Sequence, residues 1–153
     1  QRVRLFVLTF VAVSPLHAQI PTVNSGDYKE APPISSVMVR GVSSATSNGN
    51  EIIEKGQFST QRHHSGYAVI TTLEVGLART VVASSAGYRQ TTPISTSAYC
   101  GNEQIIRACH EGESATVFIR TWGIPNITNG FFTYEATSTN HPYNTGSVRL
   151  YIN

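Results

Sequence analysis

The chain has 153 residues, of which 40% are apolar and 13% charged, with eleven Lys and Arg against nine Asp and Glu. That length fits one domain. A formal charge of +2 includes no basic block able to hold nucleic acid or an anionic membrane.

Arg2 and Arg4 precede an apolar run, Leu5 to Val13, broken only by Thr9; Ser14-Pro15 ends it, and Leu16-His17-Ala18 places a small residue at a cleavage position. This is the layout of a secretory signal peptide. Residues 1–18 are therefore expected to be removed, and the product to be secreted, extracellular or periplasmic. The run is shorter than the roughly 20 apolar residues a membrane span needs. No second such run follows, so no transmembrane segment is expected after cleavage. Arg2 and Arg4 leave with the signal, so eleven cations become nine against nine anions. A near-neutral product argues against nucleic acid as a partner.

Residues 19–36 carry Pro21, Pro32 and Pro33 among polar residues and read as an extended leader outside the core. Residues 37–153 are then the folded domain. SVMVRGVSS brings Val37, Val39 and Val42, and Asn48-Gly49 marks a tight turn after it. In YAVITTLEV, Tyr67, Val69, Thr71, Leu73 and Val75 face one way and Ala68, Ile70, Thr72 and Glu74 the other. Short strands are expected again at 79–84, 104–109 and 115–122, the last putting Val117 and Ile119 opposite Phe118. FFTYEAT then directs Phe132, Tyr134 and Ala136 to one face, and SVRLYIN turns Val148, Leu150 and Ile152 inward with Arg149 and Tyr151 outward.

Seven or eight short strands bounded by Gly, Pro, Asn and Ser predict an all-β fold. The expected architecture is an antiparallel β-sandwich of immunoglobulin-like type, with a partly closed β-barrel as the alternative. Its core is expected to join Phe132, Tyr134, Val148, Leu150 and Ile152 to Val69, Leu73, Val117 and Ile119. Cys100 and Cys109, in an exported chain, are expected to form a disulfide. SSVMVRGVSS, HHSGYAVITTLEVG and above all GFFTYEATSTNHPYNTGSVRLYIN resemble the small secreted bacterial proteins typified by YolA. The resemblance implies secretion and carries no catalytic residues with it.

Chemistry-bearing residues are sparse. His110, Glu111 and Glu113 follow Cys109 and could contribute to a divalent-metal or hydrolytic site, with His63, His64 and His141 as further imidazoles. No HExxH or GxSxG accompanies them. A Ser-His-acid relay would have to recruit Asp27, the sole aspartate, or use a glutamate. No cofactor is expected. Tyr88, Tyr99, Trp122, Tyr143 and Tyr151 lie in or beside turns or on outward faces, where aromatics with polar tips serve recognition. Trp122, Tyr143, Tyr88 and Tyr99 are the candidate binding residues, and Trp122, at a strand end before Gly123 and Pro125, is either a core lid or an exposed platform. The reading that follows is a secreted binding module for a surface glycan or protein. A secreted hydrolase centred on His110, Glu111 and Glu113 is the alternative. A pilus or coat subunit fits less well, because the terminal strand is complete and the leader does not alternate.

Overall fold

Ten strands form in the computed structural model, which describes residues 31–127 and 129–153. They are β1 (Ser36–Ser44), β2 (Asn50–Ile52), β3 (Gly66–Val75), β4 (Ala78–Ser85), β5 (Tyr88–Gln90), β6 (Ser95–Gly101), β7 (Ile106–Arg107), β8 (Val117–Ile127), β9 (Gly130–Ser138) and β10 (Thr145–Ile152). One sheet runs β2-β1-β3-β8-β6-β7 and the other β10-β9-β4-β5. Every ladder between these strands is antiparallel. The architecture is the antiparallel sandwich that strand spacing predicts. Among the described residues no helix is long and apolar enough to cross a membrane. The signal-peptide expectation for residues 1–18 lies outside the described residues.

Local chemistry fixes the strand phases. A bulge at Arg40 interrupts the β1–β3 register between Val39 and Gly41. It shifts the alternation by one, so that Val39 and Val42, three apart, both enter the core. Ala86 and Gly87 both have positive φ, 47° and 78°, which suits the two-residue turn between β4 and β5. Gly76, at φ 107°, turns β3 towards β4 with the Pro33 carbonyl lying where a Cβ would stand. The final hairpin has the expected register: Phe132 faces Leu150, Tyr134 faces Val148, and their inner neighbours Ala136 and Ile152 are buried.

Two expectations are corrected. The leader is not wholly outside the core: Ile34 is buried, its N–H donates to Ser138 Oγ at 2.7 Å, and its carbonyl accepts from Asn144 Nδ2 at 2.8 Å. The proline-rich composition hid one apolar anchor that the β9–β10 loop captures. The second correction concerns β3 and β8. The face that packs between the sheets carries Ala68, Ile70, Trp122 and Ile124. Leu73 and Val117 share a face as expected but lie on the other side, in a second cluster with Met38. Tyr99, Ile106 and Ile119 pack against that cluster. The disulfide between Cys100 and Cys109, Cα–Cα 4.9 Å, ties down the hairpin that covers it. Apolarity alone picked the wrong face because the inner one carries Thr72 and Glu74, whose polar atoms are satisfied by partners distant in sequence.

Candidate functional site

The four aromatics singled out as a recognition set do not form one surface. Trp122 is fully buried, so its expected place on that surface is corrected: it sits within β8, not at a strand end. Its Nε1–H donates to Thr72 Oγ1 at 2.9 Å, and its ring lies 5.7 Å from that of Tyr134. That bond satisfies the indole's only polar group and frees the rest of the ring for the core. Tyr99 is half-buried against the second cluster. Tyr88 and Tyr143 are 46% and 57% exposed but stand at opposite ends of the four-stranded sheet. Tyr88 pairs with Ser85 at the end of β4, whereas Tyr143 lies in the loop after Ser138, the partner of Ala78 at its start. Seven steps of strand, at about 3.3 Å each, separate the two ends.

The imidazole and carboxylate candidates are also dispersed. Glu113 accepts from Arg107 Nη1 at 2.8 Å and from the His110 N–H at 2.9 Å, closing a turn on the disulfide hairpin. Arg107, then the His110 N–H, hold the Glu113 carboxyl down at about 2. His141 and His63 are exposed, His141 beside the Tyr143 ring. Among the described residues no group of three His, Cys, Asp or Glu side chains could hold a metal ion.

Three arrangements emerge instead. In the first, the β1–β2 hairpin and the segment before β3 bring together Ser44, Glu51 and His64. Ser44 Oγ lies 2.9 Å from His64 Nδ1, and His64 Nε2 lies 3.2 Å from Glu51 Oε1. Glu51 also accepts the backbone N–H groups of Gln61 and Arg62, each at 2.8 Å. Burial alone would raise its carboxyl, but those two bonds and His64 outweigh it and hold the group below its ordinary value. His64 and Glu51 are buried; Ser44 is half-buried.

The second is internal. Glu74, wholly buried, accepts from Arg120 Nε at 2.6 Å and from the Tyr134 hydroxyl at 2.7 Å, while Arg120 Nη1 reaches Thr96 Oγ1 at 3.1 Å. Burial pushes the Glu74 carboxyl up against the opposing pull of Tyr134 and Arg120. Tyr134 is raised, first by burial and then by the Glu74 charge.

The third is the outer face of the four-stranded sheet. Strand alternation that sends Phe132 and Tyr134 inward leaves Phe131, Thr133 and Glu135 outward, across from Tyr151, Arg149 and Ser147. Phe131, 45% exposed, meets Tyr151 edge-to-face at 5.1 Å between centroids. The Arg149 guanidinium lies over the Phe131 ring at 3.7 Å. Thr137 and Thr145 continue the row, their hydroxyls 2.8 Å apart.

Residues 21–152 match the family model described as Domain of unknown function (DUF4879). The chain belongs to that family. No curated protein and no solved structure matches it. Within this DUF4879 domain the outward placement of Arg149 and Tyr151 follows from alternation as expected, whereas Phe131 beside them was not among the expected recognition aromatics. The Ser44–Glu51–His64 line had no such signal, since its members are seven and thirteen residues apart.

Proposed function

We propose that this DUF4879 domain is an exported binding module that recognises a surface glycan through the outer face of its four-stranded sheet. The observation that carries the reading is the Phe131–Tyr151 pair with Arg149 stacked on it. An exposed Phe131 ring beside the half-buried Tyr151 ring offers area for the C–H face of a sugar ring. The guanidinium and the neighbouring Thr133, Glu135 and Ser147 offer donors and acceptors for its hydroxyls. These groups stand on paired strands, so they are held in place before a ligand arrives, which lowers the ordering cost of binding. The signal-peptide pattern of residues 1–18 and the Cys100–Cys109 bond support an extracellular location. The resemblance to YolA-type secreted proteins supports it too.

A protein surface is the other partner class for the same face. The hydrolase reading centred on His110, Glu111 and Glu113 has weaker support, because Arg107 and the His110 N–H already engage Glu113. A glycan array probed with the full chain tests the proposal. Binding that disappears in Phe131→Ala/Tyr151→Ala while the melting temperature holds supports it; an array silent for the parent chain refutes it.

A further inference from the structure

Ser44, His64 and Glu51 form a line of hydroxyl, imidazole and carboxylate in which Ser44 is half-buried, Glu51 nearly fully buried and His64 fully buried. An ionised carboxylate accepts and cannot donate, so the His64 nitrogen facing Glu51, Nε2, carries a proton. In the neutral ring Nδ1 is then the acceptor, and it faces Ser44 Oγ. The two backbone N–H groups on Glu51 fix the carboxylate, which in turn fixes the ring. The orientation is that of a general base aimed at one hydroxyl, with the two imidazole nitrogens exchanged relative to the usual serine relay. Thr46 Oγ1 lies 3.3 Å from Ser44 Oγ and accepts the Ser65 N–H at 3.0 Å, so an exposed hydroxyl adjoins Ser44.

We infer that Ser44 is a nucleophilic hydroxyl that takes an acyl group from an activated ester or thioester. The site is separate from the sheet face. In the step, Ser44 Oγ bonds to the acyl carbon and its proton passes to His64 Nδ1, where Glu51 stabilises the imidazolium. The bond from the acyl carbon to the leaving group breaks, and that group departs with the electron pair.

The burial of His64 narrows the substrate class. Its ring has no exposed surface in the folded chain, so it cannot hand a proton to a bulky alcohol. The leaving group must therefore be stable as an anion, as an aryl oxide or a thiolate is. Water is likewise kept from His64, so the acylated serine persists. Ser44 is a site of stoichiometric acylation rather than of rapid turnover.

The experiment treats the full, disulfide-intact chain with p-nitrophenyl acetate, follows nitrophenolate release, and maps acetyl groups by mass spectrometry. The expected result is a burst of one equivalent with acetyl on Ser44. Its rate should exceed that at the neighbouring Ser43 by about a hundredfold, the lower end of what a positioned base contributes. Ser44→Ala should abolish the burst in a chain that stays folded, with melting lowered modestly because the buried His64 Nδ1 loses its partner, and His64→Gln should slow acetylation of Ser44 at least about tenfold. The same chain unfolded in urea should lose the preference, which keeps the test decisive should His64→Gln not fold. Acetylation with no preference for Ser44 in the folded protein overturns the inference, as does a Ser44 rate unchanged by His64→Gln in a folded variant. A purely structural Ser44–His64 contact gives Ser44 no preference over Ser43 and no rate dependence on His64.

Discussion

Tyr134 on β9 donates its hydroxyl proton to Glu74 on β3 at 2.7 Å, joining the two sheets through a carboxylate with no exposed surface. The bond explains how a sandwich this small tolerates an acid in its interior. Glu74 is matched on one oxygen by Arg120 and on the other by Tyr134.

Glu74→Ala should therefore destabilise the domain by about 3–5 kcal/mol, since it leaves Arg120 largely buried without its counter-charge. Tyr134→Phe removes one donor and should lower stability by about 1–3 kcal/mol. Urea unfolding of both variants measures this. Values within half a kcal/mol of the parent, on the scale of ordinary surface substitutions, would mean the network contributes nothing.

Acid should act on the two buried carboxylates in opposite directions. The folded Glu51 carboxyl lies below its ordinary 4.5, so its stabilising contribution is present above that pH and is lost as pH falls through the lower folded value. The folded Glu74 carboxyl lies above 4.5, so its contribution is full below that pH and declines as pH rises through the raised value. Stability profiles of Glu51→Gln and Glu74→Gln read the two separately. The deficit of Glu51→Gln should shrink in acid, and Glu74→Gln should gain on the parent as pH rises above 4.5. Parallel profiles for all three proteins would contradict both assignments.

How much of this was visible beforehand depended on whether a residue's partner was close in sequence. The final hairpin was legible because Phe132, Tyr134, Leu150 and Ile152 alternate cleanly and only a short loop lies between the strands. The inner face of β3 was not, because Thr72 and Glu74 look like a solvent face until Trp122 and Tyr134 arrive from β8 and β9. Trp122 beside Gly123 and Pro125 suggested a strand end, yet β8 runs on to Ile127. The Ser44–His64 contact depends on the turn after β1 and on the loop before β3, which no local pattern announces.

Core substitutions should separate the two apolar clusters. Trp122→Ala should lower stability by about 3–5 kcal/mol and Leu150→Ala by about 2–5, both through the cavity left between the sheets. Leu73→Ala falls in the same range but empties the cluster under the disulfide hairpin. Cys100→Ser should lower stability by about 2–3 kcal/mol on the loop-entropy scale. Leu73→Ala and Cys100→Ser, combined, should be non-additive, because the bridge holds the lid on that cluster. Strict additivity in a double-mutant cycle would show that the hairpin and the cluster are independent.

Loss of the outward aromatics should affect recognition and not stability. Phe131→Ala should weaken glycan binding by about 2 kcal/mol, roughly thirtyfold in Kd, if the ring is a central contact. Tyr143→Ala, at the far end of the sheet, should change it little. A larger loss from Tyr143 than from Phe131 would move the site to the β9–β10 loop.

The most direct measurement is an amide chemical-shift map of the full chain titrated with the glycan that gives the strongest array signal. Shifts concentrated on Phe131, Thr133, Arg149 and Tyr151, and absent from Phe131→Ala/Tyr151→Ala at the same concentrations, are the predicted result. Shifts centred on the Tyr88 turn, the Tyr143 loop or the disulfide hairpin, with the outer sheet face silent, would contradict it.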